Sequence, residues 1–182
     1  MMAAKKTIAI VGATDLLNTA LERKLAQANC RALLVSEDET QFADLLKSVS
    51  GNTPGAEIEA QHCIRESCWE ADIIILGINE GLIEETIKKI KEVATQKIVV
   101  CLTRHEGAIT YQPGIARALQ CSLPYSKAVY IFNAAATGDL LVAGNDEEAV
   151  ETVINLADKG GIRLQKAGSL SALPDKQNLF FT

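Results

Sequence analysis

The sequence predicts an α/β protein with one doubly wound, mostly parallel sheet and helices on both faces. Three observations predict this class. Short apolar runs alternate with helix-periodic segments, a glycine turn follows the first run, and several runs are apolar at nearly every position. Such a run is typical of a parallel strand that is covered on both faces. We expect seven or eight strands in a single domain of the Rossmann type.

The first half of the chain supplies four of the predicted strands and two helices. The first helix begins near Asp15 and runs to about Gln27, with leucines at i, i+4 spacing on one face. A second helix follows the polar break Ser36–Glu39, and Gly51–Gly55 has the composition of a loop. The strands predicted here are Thr7–Val11, Ala32–Val35, Ile58–Cys63 and Asp72–Ile78.

The second half of the chain continues the alternation. A helix is predicted over 80–93, with acidic residues early and lysines late, in agreement with the helix dipole. Its Glu85 and Lys89 are spaced for an i, i+4 ion pair, so we interpret this face as solvated. Residues 103–113 are predicted to be irregular, and further helices cover 114–121 and the segment from 144 to 160. The remaining predicted strands are Lys97–Leu102, Lys127–Phe132, Asp139–Ala143 and Ile162–Lys166.

Length and composition limit the classes of function. A chain of 182 residues predicts one domain, 1–182, ending in a short tail, 174–182. The net charge of −5 argues against nucleic acid or an anionic membrane as the partner, and no apolar run approaches the ~20 residues that span a bilayer. The basic segment 1–6 does not resemble a signal peptide, and the five cysteines form no CxxC pair. We therefore expect a cytoplasmic protein without a metal site.

The turn after the first strand predicts a site for an anionic ligand. A strand, a glycine turn and a helix, in that order, begin a dinucleotide-binding fold, where free N–H groups at the helix start bind the pyrophosphate. Only the first of the three expected glycines is present. Asp15 and Asn18 occupy the other positions; both residue types tolerate left-handed backbone angles, but an N-capping Asp15 would occupy amides that the phosphate needs. The turn reads Gly12-Ala13-Thr14-Asp15-Leu16-Leu17-Asn18.

A carboxylate follows the second predicted strand at a position that fits ribose recognition. Glu37, preceded by Ser36, follows Gly12 at close to the spacing of roughly 20 residues found in dinucleotide folds. Its carboxylate would accept hydrogen bonds from the ribose of NAD and repel the 2′-phosphate of NADP. Asp38 and Glu39 add to that repulsion, and Arg31, the nearest cation in sequence, lies at the other end of the strand. The alternative is that these acids only begin the second helix.

Two further segments reach the same sheet edge, because ligands of open α/β sheets lie beyond the carboxyl ends of the strands. Gly77-Ile78-Asn79 ends the fourth predicted strand, and Gly77 either lets a cofactor approach or serves packing. The polar residues Thr103-Arg104-His105 follow the fifth strand, where a nicotinamide or a substrate would meet them; the alternative for His105 is a solvated loop histidine. We assign no catalytic residue, because hydride transfer needs little beyond the orientation of the reactants.

The order of these motifs resembles the family of NADP oxidoreductases that depend on the deazaflavin coenzyme. That family begins with a strand and a Gly-Gly-Thr-Gly-Asn-Leu/Met-Gly turn, which matches the glycine turn of this chain in register. This chain departs from the family pattern at Glu37, where the family has Arg, and at Asn79, where the family has Pro. The other matching segments are Ala20-Leu21, Leu25-Ala26, Ala71–Asn79, Phe132-Asn133, Gly144–Ala149 and Lys166–Leu170.

The resemblance implies a Rossmann fold, a nicotinamide dinucleotide and hydride exchange with an acceptor, which in that family is the deazaflavin. The cofactor is NAD or NADP, and Glu37 in place of the family's Arg favours NAD. Two other functions remain open. One is a dinucleotide-fold protein that senses a nucleotide without catalysis, and the other is a module for self-association through the tail. We expect small-molecule partners and a homodimer.

Overall fold

The computed structural model describes residues 5–12, 30–50, 57–102, 104–105, 108–109, 111–112, 114–134 and 137–174. Within these residues the strands are β1 (Thr7–Val11), β2 (Arg31–Val35), β3 (Glu57–Gln61), β4 (Ile73–Leu76), β5 (Ile98–Leu102), β6 (Arg104–His105), β7 (Ala108–Ile109), β8 (Lys127–Asn133), β9 (Leu140–Gly144) and β10 (Gln165–Gly168). The helices are α1 (Glu39–Ser50), α2 (Ile64–Glu70), α3 (Ile83–Ile90), α4 (Ile115–Ser122) and α5 (Glu147–Lys159). Two 3₁₀ turns cover Glu80–Leu82 and Leu170–Ala172.

Eight of these strands form one sheet in the order β10-β9-β8-β5-β4-β1-β2-β3, and β6 and β7 form a separate ribbon. Neighbours in the sheet are parallel except for β8 and β9. From β1 the chain builds outward to β2 and β3, and from β4 it builds the other way to β5 and β8. The strand order therefore reverses between β1 and β4, where doubly wound folds bind their ligands. The predicted α/β class is confirmed.

The core consists of two apolar layers, one on each face of the sheet. Ala9 and Val11 of β1 belong to the layer covered by α2, α3 and α4. Ile8 and Ile10 belong to the opposite layer, together with Val150 from α5. Successive side chains of a strand point to opposite faces. A strand covered on both sides must therefore be apolar throughout, and this explains the uninterrupted run.

Most element boundaries match the sequence prediction to within a few residues, with four differences. The helix predicted over 80–93 begins as a 3₁₀ turn and is α-helical only over Ile83–Ile90. The last strand lies at Gln165–Gly168 instead of Ile162–Lys166. The stretch predicted to be irregular contains the β6–β7 ribbon, and α2 was not predicted. The predicted first helix lies outside the described residues.

Helix α5 begins where the sequence predicts, because Asp146 caps it. The Asp146 carboxylate accepts a hydrogen bond from the backbone N–H of Ala149 at 2.8 Å and lies 3.4 Å from the Lys127 ammonium. Acidic residues in the first turn, Glu147 and Glu148, also favour a helix start. This cap satisfies one of the amides that a helix start leaves without an intrahelical partner.

We expect Asp146→Ala to lower the free energy of unfolding by about 1 kcal/mol, the usual cost of a lost N-cap. Urea denaturation measures this change. Asp146→Asn is the matched control, because it removes the charge near Lys127 and keeps a capping oxygen. Equal losses in the two variants would assign the effect to the ion pair and contradict the capping role.

Candidate functional site

The carboxyl ends of β1 and β4 meet at a close contact between two glycines. Gly12 has a positive φ of 86°, and a Cβ on it would lie 2.5 Å from the carbonyl oxygen of Gly77 and 2.7 Å from Cγ2 of Ile78. The Gly12 N–H donates to the Val35 carbonyl at 3.4 Å, and the Gly77 N–H donates to the Val11 carbonyl at 2.9 Å. Strand pairing therefore continues to the first residue of the glycine turn on both sides. Glycine at position 12 is required by the fold itself.

The segment after β4 is more open at Gly77 than at Gly12. A Cβ on Gly77 would meet the Val11 carbonyl oxygen at 3.7 Å and that of Gly12 at 4.0 Å, which are ordinary contacts. Ile78 is buried, while Asn79 is exposed and its carbonyl accepts a hydrogen bond from the Leu82 N–H at 2.9 Å. The fold tolerates a side chain at position 77, so packing does not account for this glycine.

The residues after β2 include polar groups that hold the turn together and the exposed carboxylate of Glu37. Asp38 caps α1, since its carboxylate accepts a hydrogen bond from the Gln41 N–H at 2.9 Å. The buried Ser36 hydroxyl donates to the Gln41 side-chain oxygen at 3.1 Å and accepts from the Asp38 N–H at 3.3 Å. His62 lies 3.0 Å from the Ser36 carbonyl through Nδ1. These groups stabilise the turn, and Glu37 stands exposed between them.

Glu37 forms an ion pair that the sequence does not indicate. The Lys89 ammonium on α3 lies 2.6 Å from Glu37 Oε2 and 3.0 Å from Glu85 Oε1. Both hydrogen bonds raise the pKa of Lys89, and the bond to Glu37 has the larger effect. The predicted Glu85–Lys89 pair is thus present. This face of α3 is not only solvated, however, because Lys89 also contacts Glu37 after β2. A cation does stand beside the predicted ribose-binding carboxylate.

Arg31 lies at the other end of β2, as the sequence places it, and pairs away from the glycine turn. Its Nε donates to Glu59 Oε1 at 2.9 Å, and it also pairs with Glu70 at the end of α2. The hydrogen bond from Arg31 lowers the pKa of Glu59. Arg31 therefore adds no positive charge at the carboxyl end of β2.

Several predicted site residues lie outside the described part of the chain. These are Ala13, Thr14, Asp15, Leu16, Leu17 and Thr103. Only the backbone of His105 is described, and it pairs with Ala108 in the β6–β7 ribbon. The structure thus brings Gly12, Gly77 and Ile78 together at the carboxyl ends of β1 and β4, where doubly wound folds have their ligand crevice. Asn79 follows Ile78 in the chain, and Glu37 lies at the end of the neighbouring β2. The chemical role of these residues stays a prediction.

An aromatic cluster, not anticipated from the sequence, contains the carboxyl end of β8. Tyr130 and Phe132 are fully buried, and their ring centroids lie 5.1 Å apart. Tyr111 packs edge-on against Phe132 at 5.0 Å and donates a hydrogen bond to the Pro174 carbonyl. The Tyr130 hydroxyl accepts a hydrogen bond from the Gln112 N–H at 2.8 Å. The cluster joins the chain after β7, strand β8 and the segment after the second 3₁₀ turn.

The cysteines provide no reactive thiol inside the core. Cys68 and Cys101 are fully buried, and burial raises the pKa of each thiol to about 12. A thiol of this kind stays protonated near neutral pH and behaves as a small apolar side chain. In the part of the chain that the structure describes, no group of three or more His, Cys, Asp or Glu side chains is arranged to hold a metal ion.

No protein-family model matches the chain. In sequence it is 29% identical over 188 residues to the F420-dependent NADP reductase of Methanocaldococcus jannaschii, covering 90% of this chain and 84% of that enzyme. In structure it is similar to a candidate F420-dependent NADP reductase from Arthrobacter sp. FB24, with a TM-score of 0.66, 16% identity, and 91% and 86% of the two chains covered. Prephenate dehydrogenase from A. aeolicus, solved with hydroxyphenyl propionate and NAD+, matches with a TM-score of 0.71, 11% identity, and 94% and 62% coverage.

The strand order, the switch point and the glycine contact define a Rossmann-type fold of the class that contains nicotinamide-dependent reductases. F420 is the deazaflavin coenzyme, so the sequence relative and the Arthrobacter structure support the resemblance that the motifs predict. The chain is therefore similar in sequence to a deazaflavin-dependent NADP reductase and shares its fold with a candidate enzyme of the same kind. Among the described residues, no helix has the length and apolar character that a bilayer crossing requires.

Proposed function

We propose that this protein is an oxidoreductase that binds a nicotinamide dinucleotide across the β1–β4 crevice and exchanges hydride with a separate acceptor. The observation that carries the proposal is Gly77 at the switch point of the sheet, a glycine that packing does not require, with an exposed carboxylate at the end of β2. The similarity to NAD(P)-dependent reductases supports the same class.

In this proposal each part of the crevice has a defined task. The glycine turn Gly12–Asn18 presents backbone amides to the pyrophosphate, and Gly77 lets the dinucleotide approach the backbone. Ile78 and Asn79 border the crevice beyond β4, and Thr103 lies beyond β5. A bound nicotinamide would supply the hydride. The residues of the chain would orient the nicotinamide ring and exclude water.

Glu37 sets the proposed preference for NAD over NADP. A carboxylate at the end of β2 accepts hydrogen bonds from the adenosine ribose hydroxyls, and its charge opposes a 2′-phosphate. Ser36 contributes by holding the turn, since its hydroxyl is engaged with Asp38 and Gln41. The acceptor in the related family is the deazaflavin, and the acceptor of this chain is tested separately from cofactor binding.

Calorimetric titration of the purified protein with NADH and with NADPH tests the proposal. We expect NADH to bind more tightly than NADPH, and NADH oxidation to follow when a deazaflavin or another acceptor is added. Binding without turnover for any acceptor would favour the sensor alternative. Failure of both dinucleotides to bind at millimolar concentration would overturn the oxidoreductase assignment.

We expect Gly77→Val to weaken NADH binding by at least about tenfold, because its methyl groups fill the space that the dinucleotide needs. The Cβ itself meets only ordinary contacts, so the fold should persist, and a thermal melt checks this. Gly81→Val is the matched control, since nothing lies within 4 Å of a Cβ at that position. Unchanged binding in Gly77→Val would show that the dinucleotide does not enter this crevice.

A further inference from the structure

The pair formed by Glu37 and Lys89 joins two elements that no local sequence pattern connects. Lys89 lies on α3, 52 residues after Glu37, and its ammonium is 2.6 Å from Glu37 Oε2. Both side chains are partly exposed, at 40% for Glu37 and 38% for Lys89, so a ligand beside them has access to either charge. Glu85 holds the same ammonium from the preceding turn of α3.

The pair has two consequences for a ribose beyond the end of β2. The bond to Lys89 engages one carboxylate oxygen of Glu37, while the carboxylate as a whole has acceptor capacity left for ribose hydroxyls. A lysine ammonium is also a recurrent partner of phosphate groups. In the wild-type chain that ammonium is already bound by two carboxylates.

We propose that Lys89 is a second residue that determines cofactor preference, acting as a phosphate-binding group that Glu37 keeps engaged. This inference rests on the proposed function, because it requires a dinucleotide whose adenosine ribose lies at the end of β2. While Glu37 is ionised it both repels a 2′-phosphate and holds Lys89, so NAD is selected. When the charge at position 37 is removed, Lys89 is released toward the 2′-phosphate, and Glu85 keeps it in place.

The arrangement makes a prediction that simple repulsion by Glu37 does not. If Glu37 acted only by repulsion, removing its charge would improve NADPH binding by the same factor whatever stands at position 89. If Lys89 is the latent phosphate-binding group, the improvement depends on it. The two substitutions are therefore coupled for NADPH and nearly independent for NADH, which has no 2′-phosphate.

The test is a double-mutant cycle with Glu37→Gln, Lys89→Met and the double variant, each titrated by calorimetry with NADPH and NADH at low ionic strength. We expect Glu37→Gln to tighten NADPH binding about tenfold with Lys89 present and only about twofold with methionine at position 89. Lys88→Met is the matched control, since it removes the same charge from an exposed position of α3.

The outcomes separate the inference from the proposed function. Equal tightening by Glu37→Gln in both backgrounds, with NADH still binding, would overturn the role of Lys89 and leave the oxidoreductase assignment intact. If Lys88→Met reduced the Glu37→Gln gain in NADPH binding as much as Lys89→Met does, the coupling would be a general charge effect, and this would also overturn the role of Lys89. Failure of both dinucleotides to bind to every variant would overturn the two proposals together.

Discussion

Replacing Gly12 with alanine is expected to lower the free energy of unfolding by about 3 kcal/mol. Two costs add at this position. A positive φ of 86° is strained for any residue with a Cβ, and the added methyl would lie 2.5 Å from the Gly77 carbonyl oxygen. The Gly77 carbonyl does not give way easily, since Gly77 is fixed by its N–H bond to the Val11 carbonyl at 2.9 Å. Urea denaturation of the purified variants measures the loss.

Gly114→Ala is the matched control, because it isolates the backbone cost. Gly114 has nearly the same φ, 87°, but nothing lies within 4 Å of a Cβ there. We expect that variant to lose only about 1 kcal/mol, the usual cost of the left-handed conformation. Equal losses at the two positions would show that the Gly77 backbone moves aside and that the contact does not constrain the fold.

This contact also changes what the glycine means in the sequence. Gly12 is the first residue of a phosphate-binding pattern, and from the sequence alone it is interpreted as a residue that lets the backbone approach a pyrophosphate. The structure shows a sufficient reason within the protein, since β1 and β4 approach too closely for any side chain. The presence of Gly12 therefore does not by itself support a bound pyrophosphate. Gly77, which packing does not require, is the more informative of the two glycines.

Much of the fold could be predicted because parallel strands have a strong signature. Thr7–Val11 was predicted with its observed bounds, since both faces of β1 are buried and every position from 8 onward is apolar. On α3, Ile83, Ile87 and Ile90 recur at helical spacing, and all three are buried. Both patterns arise because one or both faces of the element are removed from water.

Helix α2 could not be predicted because it is short, has no side-chain N-cap, and is held at its carboxyl end by a distant part of the chain. It has seven residues, and its N-cap, Cys63, makes no capping hydrogen bond through its side chain. The Lys97 ammonium donates to the carbonyls of Cys68 and Trp69 at the other end. Lys97 is 29 residues from Cys68, so local helix propensity carries no sign of this contact.

The sequence predicts the position of a candidate site residue where that position depends on the end of one strand. It does not predict a contact that depends on the packing of two elements. Glu37 comes two residues after β2 and Gly77 comes directly after β4, so locating the two strands is enough to place both residues. The Lys89–Glu37 pair depends on how α3 packs, and the periodicity of α3 predicted only the pair with Glu85. Nothing in the sequence indicates which distant carboxylate a surface lysine will contact.

We expect Phe132→Ala to lower the free energy of unfolding by about 4 kcal/mol, through lost burial and the cavity left behind. Phe132 is fully buried in β8, at the centre of the ring contacts with Tyr111 and Tyr130. Removing the ring takes away the contact that each tyrosine makes with Phe132 and leaves only the tyrosine pair, whose ring centroids lie 6.0 Å apart, which adds to the cost of the cavity. The corresponding fall in melting temperature is about 10 °C for a chain of this size.

Two further variants separate the packing of Phe132 from the mere presence of an aromatic ring. Tyr125→Ala removes a ring that is 77% exposed, and we expect it to change the stability by less than about 0.5 kcal/mol. Phe132→Leu keeps most of the volume and should lose only about 1 kcal/mol. A loss in Phe132→Ala as small as that in Tyr125→Ala would mean that the cluster is loosely packed. The segments before and after β8 would then be held by their hydrogen bonds, from Gln112 to Tyr130 and from Tyr111 to Pro174, and not by the rings.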